Sequence, residues 1–278
     1  MSVSRSQAEK RGPGPGADRY DVAVLGKALD VLETLVAAGE MGLSQLAAES
    51  GVSKTSAFRV LTTLEVRGYL AKDPASRRYR PGPKLIALGG SLVSGLDVLQ
   101  AARPVLESLH RRFGETVNLG VLAEGRVLYL DMIESQQGLR TISHVGSRDP
   151  LHCTALGKAL LACLPPSEAR QLLTDYRRVR QTPHTRISLH ALERELARVR
   201  DQGYALDDEE NELGARCVGA AIVDSQAQPV AALSLSGPTS RLTDKMIARV
   251  GEEVRLAARA VEHHMGYAPR HAQTPRAS

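Results

Sequence analysis

Asp207, Cys217, Ser234 and Ser236 have the residue types and spacing of a small-molecule binding site. They lie on, or next to, two strands that we expect to be adjacent, and alternation along VAALSLSG puts both serines on one sheet face. Buried hydroxyls are costly when unpaired, so a bound polar ligand would satisfy them. Bonds to backbone groups or to water at a strand edge are the alternative. The N–H groups that begin the LHCTALGKALL helix are suited to the anionic part of a ligand.

Other stretches resemble catalytic or metal-binding motifs, but each lacks a required residue. Gly157-Lys158 lacks the upstream glycine and the following serine or threonine of a phosphate loop. The acidic stretch DDEENELG carries Glu212 where a calcium loop needs glycine, and no GxSxG elbow occurs. The histidines have no metal-ligand spacing with the cysteines. We therefore expect no catalytic residues, no metal and no cofactor.

The segment 53–68, SKTSAFRVLTTLEVRG, has the pattern of a helix that contacts DNA. Ser53 occupies an N-cap position, and Ala57, Val60, Leu61 and Leu64 form one apolar stripe at helical period. Hydroxyls and cations on the opposite face suit phosphates and base edges. An ordinary amphipathic surface helix is the alternative interpretation. The predicted DNA contacts from this segment are Lys54, Thr55, Ser56, Arg59, Thr62 and Thr63.

The flanking segments favour the DNA interpretation. A first helix is predicted upstream, with an inward apolar stripe of Leu25, Leu29, Leu32 and Val36. A short second helix follows it, with Ser44 as its predicted cap and Gly51 as its predicted end. Together with the segment 53–68 they give a helix-turn-helix pattern. The following stretch, GYLAKDPASRRYRPG, predicts a β-hairpin, the wing of a winged helix-turn-helix. Its arginines, which suit phosphates or a narrow minor groove, are Arg77, Arg78 and Arg80.

Charge and composition set further bounds. Residues 53–84 contain eight basic and two acidic side chains, so most of the formal net charge of +5 is assigned to this stretch. Such a concentration of positive charge favours binding to nucleic acid. No apolar run is long enough to span a membrane, and the N-terminus lacks a signal sequence. Three cysteines without pairing motifs fit a reduced, cytoplasmic protein. Gly, Pro, Ser and charged residues predict a disordered leader over 1–20 and a disordered tail over 267–278.

The remaining periodicities predict an α+β protein of two domains. A winged helix-turn-helix over 21–82 is followed by a linker helix over 83–98, whose apolar residues favour burial in a homodimer over packing on the chain's own second domain. The domain 99–266 is predicted to carry a hairpin of ETVNLGV and RVLYLDMI and a third strand near LRTISHV. Three helices are predicted after them, LHCTALGKALLACL, SEARQLLTDY and SLHALERELARVRDQG, the last with Ser188 as its cap. Two further strands and a closing helix give a GAF-like effector domain with a mainly antiparallel sheet.

These motifs together resemble the IclR-type bacterial transcriptional regulators over roughly residues 22–266. The resemblance rests on LAAESGVSKTSAFRVLTTLEVRGYL, DPLHCTALGKALLA and GYALDDEENELGARCVGAAIVD. It implies a homodimer or dimer of dimers on a palindromic operator, more often a repressor, controlled by a small carboxylate. In glyoxylate- or pyruvate-responsive members, residues matching Asp207, Cys217, Ser234 and Ser236 hold the carboxylate, with backbone amides here at Ala155 and Leu156. Related loops often read small-Gly-small where this chain has Thr154-Ala155-Leu156, so the ligand need not be glyoxylate or pyruvate.

Two alternatives to an effector-controlled regulator follow from the sequence. One is an enzyme that acts on a small carboxylate through Cys217 or Cys153, with an accessory DNA-binding domain. His152 beside Cys153 resembles a nucleophile–base pair, although sequence neighbours rarely face each other at a helix start. The other is a DNA-bridging protein without a ligand.

Overall fold

The computed structural model describes residues 22–94, 97–141 and 143–267. The chain divides into two compact units between Leu92 and Val93. The predicted disordered leader lies outside the described residues, and so does the predicted tail from residue 268 onward. In the described residues, no helix is long and apolar enough to cross a membrane.

The first unit is a helical domain with a two-stranded hairpin. Its elements are α1 (Ala23–Ala38), α2 (Leu43–Glu49), α3 (Lys54–Val66), β1 (Leu70–Lys72), β2 (Tyr79–Pro81) and α4 (Pro83–Ser94). The core joins α1, α2, α3 and the hairpin through the buried side chains of Leu35, Leu46, Leu61 and Tyr79. This is the predicted winged helix-turn-helix, with α2 and α3 as its helix pair and β1–β2 as its wing.

Local signals set the ends of α2 and α3. The Ser53 hydroxyl accepts a hydrogen bond from Ser56 N at 3.2 Å, which confirms the predicted cap of α3. Gly51, in the turn before it, has a φ of +69°, the left-handed conformation that glycine adopts without strain. The prediction that Ser44 caps α2 is wrong, because α2 begins at Leu43 and Gly42 is its N-cap residue.

The predicted inward stripe of α1 is wrong at three of its four positions, whereas Leu32 does pack against the core. The residues that α1 buries completely are Val31 and Leu35, whereas Leu25, Leu29 and Val36 are about half exposed. Helix α1 therefore has apolar residues on two faces. Hydrophobic periodicity alone cannot decide which of two overlapping stripes meets the core.

The second unit is a six-stranded antiparallel sheet between two layers of helices. Its strands are β3 (Thr116–Ala123), β4 (Arg126–Ile133), β5 (Arg148–Asp149), β6 (Ala205–Asp208), β7 (Ala215–Val223) and β8 (Pro229–Pro238), in the order β5-β4-β3-β8-β7-β6. Its helices are α5 (Asp97–Phe113), α6 (Ala155–Cys163), α7 (Pro166–Asp175), α8 (Leu189–Gln202) and α9 (Asp244–His264). Helices α5 and α9 pack on one sheet face, and α6 and α8 enclose a second apolar cluster on the other.

Three predicted details of this unit are corrected. The described residues of LRTISHV form no strand. The third strand of this unit along the chain is instead Arg148–Asp149, which pairs with Val127 and Leu128 of β4. Helix α6 begins at Ala155 rather than at Leu151, because Thr154 is its N-cap. Ser188 occupies the N-cap position of α8, but its side chain makes no capping hydrogen bond. Strand β6 was not predicted.

Candidate functional site

The outward face of α3 carries cationic and hydroxyl side chains available to a ligand. Lys54, Thr55 and Arg59 are exposed, and within the described part of the chain their side chains make no hydrogen bond or ion pair. Arg59 lies one turn after Thr55, so the two project from the same side of the helix. These unpaired donors can reach phosphates or base edges without breaking a contact inside the protein.

The other predicted hydroxyls of α3 are already engaged. Thr62 Oγ1 donates to Phe58 O and Thr63 Oγ1 donates to Arg59 O, both at 2.9 Å. Ser56 Oγ accepts from Ser53 Oγ at 2.9 Å. The threonine hydroxyls therefore offer oxygen lone pairs in this state, which can accept from base amino groups but cannot donate without rotating.

The wing arginines differ in their surroundings. Arg77 and Arg80 are exposed, and Arg77 lies in the turn with a φ of +56°. Arg78 instead contacts Glu40, with its guanidinium donating to Glu40 O at 3.0 Å and lying 3.2 Å from Glu40 Oε1. Arg78 thus ties the wing to the turn before α2. Glu40 could not be predicted as the partner of Arg78, because the two residues are 38 positions apart.

The six residues predicted to bind a small molecule line one cavity of about 60 Å³ in the second unit. Strand pairing brings three of them into a row, since Asp207 is opposite Cys217 and Cys217 is opposite Ser236. Ser234 lies two residues before Ser236 on the same face of β8, as predicted. The remaining two residues of the set, Ala155 and Leu156, begin α6.

The start of α6 supplies backbone donors to this cavity. The first N–H groups of a helix have no acceptor inside it. Thr154 Oγ1 accepts from Gly157 N at 3.1 Å, which leaves the N–H groups of Ala155 and Leu156 for another acceptor. Gly219 of β7 permits this placement, because a Cβ there would lie 3.0 Å from the carbonyl carbon of Ala155. The Leu156 side chain belongs to the apolar cluster under α6, where it meets β3 at Gly120.

Further polar residues that the sequence analysis missed complete the site. Asn118 is 2% exposed, and its Nδ2 contacts Ser234 Oγ at 3.4 Å and Ser236 Oγ at 3.2 Å. Tyr129 donates to Asp149 Oδ2 at 2.8 Å beside Thr141, and all three line the cavity. A lone amide in the apolar strand TVNLGV was an available signal for Asn118. The pairing of Tyr129 with Asp149 depends on how β4 and β5 meet, which the sequence does not give.

A buried ionic cluster holds the cavity wall. Lys158 is fully buried in α6, and its Nζ lies 2.5 Å from Glu210 Oε1 and also donates to Leu206 O. Arg186 contacts the same Glu210 oxygen. The Asp207 carboxylate accepts from Glu210 N at 2.9 Å and from Asn211 N at 3.2 Å. Lys158, which has no phosphate-loop role, therefore joins α6 to the turn that carries Asp207.

The surroundings of the cysteines do not support nucleophilic chemistry. Both ring nitrogens of His152 are occupied by partners other than Cys153. Nδ1 lies 2.8 Å from Tyr176 Oη, and Nε2 lies 3.0 Å from Val179 O. Cys153 Sγ donates to Asn211 Oδ1 at 3.4 Å. Burial raises the pKa of both the Cys153 and the Cys217 thiol, so neither is the thiolate that attacks a substrate.

Asp207 has an unusual proton affinity. Burial raises the pKa of Asp207 to about 7, because the loss of solvation outweighs the attraction of Lys158 and the hydrogen bonds from Asn211 and Glu210. The neighbouring Glu210 carboxylate adds to the rise. The charge of the cavity wall therefore changes near neutral pH, where carboxylate ligands are fully ionised.

Two family models match separate parts of the chain. The model described as IclR helix-turn-helix domain matches residues 24–74. The model described as Bacterial transcriptional regulator IclR C-terminal matches residues 90–263, which is more than half of the chain. The two matches include both the exposed face of α3 and the cavity of the second unit.

Relatives and solved structures are similar to the chain over most of its length. The HTH-type transcriptional regulator XynR of Escherichia coli is 38% identical over 242 residues, covering 87% of this chain and 96% of that protein. The transcriptional repressor IclR of the same species is 32% identical, covering 92% and 93%. The crystal structure of the Thermotoga maritima IclR has a TM-score of 0.76 at 31% identity, covering 89% of this chain and 100% of the other.

One solved structure carries a named ligand. An IclR homologue from Microbacterium hydrocarbonoxydans, complexed with 4-hydroxybenzoate, has a TM-score of 0.78 at 27% identity and covers 87% of this chain and 99% of that chain.

We expect stability to depend on pH through Asp207. In the unfolded chain this carboxyl ionises near pH 4, whereas in the folded protein it keeps its proton up to about pH 7. The stability that it contributes is complete below about pH 4 and is lost as the pH rises to about 7, with a slope of at most about 1.4 kcal/mol per pH unit. Urea unfolding of the wild type and of Asp207→Asn between about pH 4 and pH 8 measures this as a falling difference in free energy.

Asparagine keeps an oxygen for the N–H groups of Glu210 and Asn211, so the turn is retained. Asp175→Asn, at an exposed position of α7, is the matched control. The difference in free energy of unfolding between the wild type and this control should not show the fall with pH that is expected for Asp207→Asn. A difference between wild type and Asp207→Asn that stays constant or rises with pH would contradict the raised pKa.

Proposed function

The chain belongs to the IclR family of bacterial transcriptional regulators, and from this premise we propose that it is a repressor whose operator binding is set by a small carboxylate in the cavity of its second unit. As a member of this family, whose matched relatives are transcription regulators over both units, it is a DNA-binding transcription regulator and not an enzyme. The identity of the carboxylate and the residues that bind DNA and effector are our proposals.

The observation that carries the DNA-binding assignment is the unpaired face of α3 beside the arginines of the wing. In this proposal Arg59, Thr55 and Thr62 contact bases in the major groove, with Ser56 and Thr63 beside them. Lys54, Arg77 and Arg80 bind phosphates, and Arg78 contributes its charge while it is held by Glu40.

The observation that carries the effector assignment is that residues of four separate elements meet in one cavity. The free N–H groups of Ala155 and Leu156 and the hydroxyls of Ser234 and Ser236 are donors for a carboxylate. Asp207 and Cys217 lie next to Ser236 on the neighbouring strands β6 and β7. The IclR homologue complexed with 4-hydroxybenzoate, itself a carboxylate, supports a carboxylate as the class of ligand. A glyoxylate- or pyruvate-like arrangement is the specific form that we propose.

We further propose a homodimer or dimer of dimers. The exposed apolar side chains of Leu25, Leu29 and Val36 on α1, and of Ile86 and Leu88 on α4, support a second copy as the partner that covers them. A two-fold assembly also matches a palindromic operator.

Leu29→Gln is expected to lower the fraction of dimer, because it places an amide in an apolar contact without touching the buried Val31 and Leu35. Lys27→Gln, at an exposed position on the opposite side of the same helix, is the matched control. Sedimentation velocity measures both, and a dimer fraction equal to that of the wild type in Leu29→Gln would exclude this face as the interface.

Arg59→Ala is expected to weaken binding to the DNA upstream of its own gene by about 1–3 kcal/mol and to relax sequence preference. Arg80→Ala should weaken binding to all DNA sequences alike. It should also reduce, by about one, the slope of the logarithm of the binding constant against the logarithm of the salt concentration. Both effects are measured by mobility shift across a salt series. Arg194→Ala, at an exposed position of α8, is the control, and an equal loss with all three variants would contradict the assigned roles.

A small carboxylate at 100 times its Kd should stabilise the protein by about 2.7 kcal/mol and change the salt-dependent mobility shift. We expect Ser236→Ala to reduce both responses and Ser225→Ala, exposed in the turn after β7, to leave them unchanged. A thermal-shift screen of 2-oxo acids, hydroxy acids, aromatic acids and sugar acids tests this, and no response to any of them would contradict an effector site.

A further inference from the structure

A second and larger pocket lies at the edge of the sheet of the second unit. Strand β6 begins at Ala205, which pairs with Gly219 of β7. In the sheet that the structure describes, the end of β7 from Ala220 to Val223 therefore has no strand beside it on that side. Residues of α6, α8 and α9 surround this end of β7 and form with it a pocket of about 600 Å³, which we call the edge pocket. Sites for small molecules typically enclose about 300–1,000 Å³.

Small side chains leave the space in the edge pocket. Ala159 and Ala162 of α6 belong to the apolar cluster on one face of the sheet, whereas Ala220 of β7 and Ala258 of α9 belong to the cluster on the other face. The pocket thus reaches both apolar clusters where the two helical layers approach each other around the sheet edge. A ligand in this position would remove an apolar body from water, which favours binding.

Arginine side chains add positive charge to these apolar walls. Arg200 of α8 donates from Nε to Ala162 O at 2.8 Å, and its terminal nitrogens make no further hydrogen bond or ion pair within the described ranges. Arg259 of α9 makes neither kind of contact with any described residue. Arg255, one turn earlier on α9, is paired, since its Nε lies 2.8 Å from Glu252 Oε2. Two guanidinium groups of the edge pocket are therefore without a carboxylate partner in the described structure.

The carboxylates that line the edge pocket are bound to backbone N–H groups. Asp224 Oδ1 accepts from Gln226 N at 2.8 Å and from Gln228 N at 2.9 Å, in the turn between β7 and β8. Glu262 Oε1 accepts from Val223 N at 2.9 Å, at the open edge of β7. These acids hold the end of β7 in place, and the guanidinium groups of Arg200 and Arg259 keep their donors for an external anion.

We propose that the edge pocket is a second small-molecule site, which binds an organic anion with an apolar body. The anionic group binds Arg200 and Arg259, because a guanidinium group can give two parallel hydrogen bonds to a carboxylate, sulfonate or phosphate. The apolar body lies against the alanines of the wall. Arginines without apolar walls would suit a hydrated inorganic ion, and an apolar slot without arginines would suit a neutral molecule.

The edge pocket is separate from the cavity of the proposed effector. Helix α6 lines that cavity with its first residues, Ala155 and Leu156, and lines the edge pocket with residues of its last two turns. The two sites also differ in charge, since the described residues that line the smaller cavity include no lysine or arginine. The inference therefore goes beyond the proposed function and does not depend on it.

Two fluorescent probes that differ in one group test the assignment on the full chain. Anilinonaphthalene sulfonate carries an anion on an apolar ring system, and phenylnaphthylamine has the same ring system without the sulfonate. We expect the sulfonate probe to bind saturably, with one molecule per chain, and at least about tenfold more tightly than the neutral probe, because hydrogen bonds between charged groups are the strong ones. Fluorescence titration measures both affinities.

Replacing the two unpaired arginines should remove this preference. Arg259→Gln breaks no contact with a described residue and should reduce the preference in part, and the double variant Arg200→Gln/Arg259→Gln should bind both probes equally. Both positions are exposed, so the fold should be retained. Arg194→Gln, exposed on α8 outside the edge pocket, is the matched control and should behave as the wild type.

Filling the edge pocket tests where the probes bind. Ala260→Leu adds a larger side chain to the wall on α9 and should weaken the binding of both probes, whereas Ala197→Leu, exposed on α8 outside the pocket, should not. Ser236→Ala changes the smaller cavity and should leave both affinities unchanged.

Three results would overturn the inference. Equal binding of the two probes to the wild type, or no saturable binding of either, would exclude a site for organic anions. A preference for the sulfonate that survives in the double arginine variant, or probe binding that Ala260→Leu leaves unchanged, would place the probe outside the edge pocket. Loss of probe binding in Ser236→Ala would assign the probe to the smaller cavity instead.

Discussion

The contact between buried Lys158 and Glu210 is the constraint around which the second unit is arranged. It joins the helix that offers backbone N–H groups to the turn that carries Asp207, and Arg186 joins the same carboxylate from the loop before α8. Removing one partner of a buried ion pair costs about 3–5 kcal/mol, because it leaves a buried charge uncompensated, so these segments cannot separate without exposing or stranding a charge. The cluster fixes α6 relative to the turn that carries Asp207, whereas strand pairing places Cys217 and Ser236.

The two candidate sites use polar groups in opposite ways. On α3, the side chains of Lys54, Thr55 and Arg59 are hydrated and unpaired, so a long anionic partner replaces water and counterions around them. In the cavity, Ser234 and Ser236 are removed from water and contact Asn118 behind them, so a ligand must match a fixed pattern of donors and acceptors. The first arrangement gives affinity that depends on salt, and the second gives selectivity among small molecules.

Features set by nearby residues could be predicted from the sequence. The cap at Ser53, the turn at Gly51, the wing and the common face of Ser234 and Ser236 each depend on periodicity or backbone preference within a few positions. The family resemblance, rather than periodicity, brought Ala155 and Leu156 into the predicted cavity set.

Features that depend on distant contacts could not be predicted in this way. Which stripe of α1 meets the core depends on α2 and the wing, and the short strand β5 exists only because β4 is there to pair with it. The partners of Arg78, Lys158 and Tyr129 lie 38, 52 and 20 positions away, and no local pattern connects them.

The pairing of β3 with β8 also orders events during synthesis of the chain. The contacts of the first unit join residues close in sequence, whereas Asn118 meets Ser236 across 118 positions. Chains emerge from the ribosome N-terminus first and fold domain by domain, and distant strand pairs form slowly. A newly made chain can therefore complete its helix-turn-helix fold from contacts within its first 92 residues, whereas the cavity has to wait until the chain as far as Ser236 has been made.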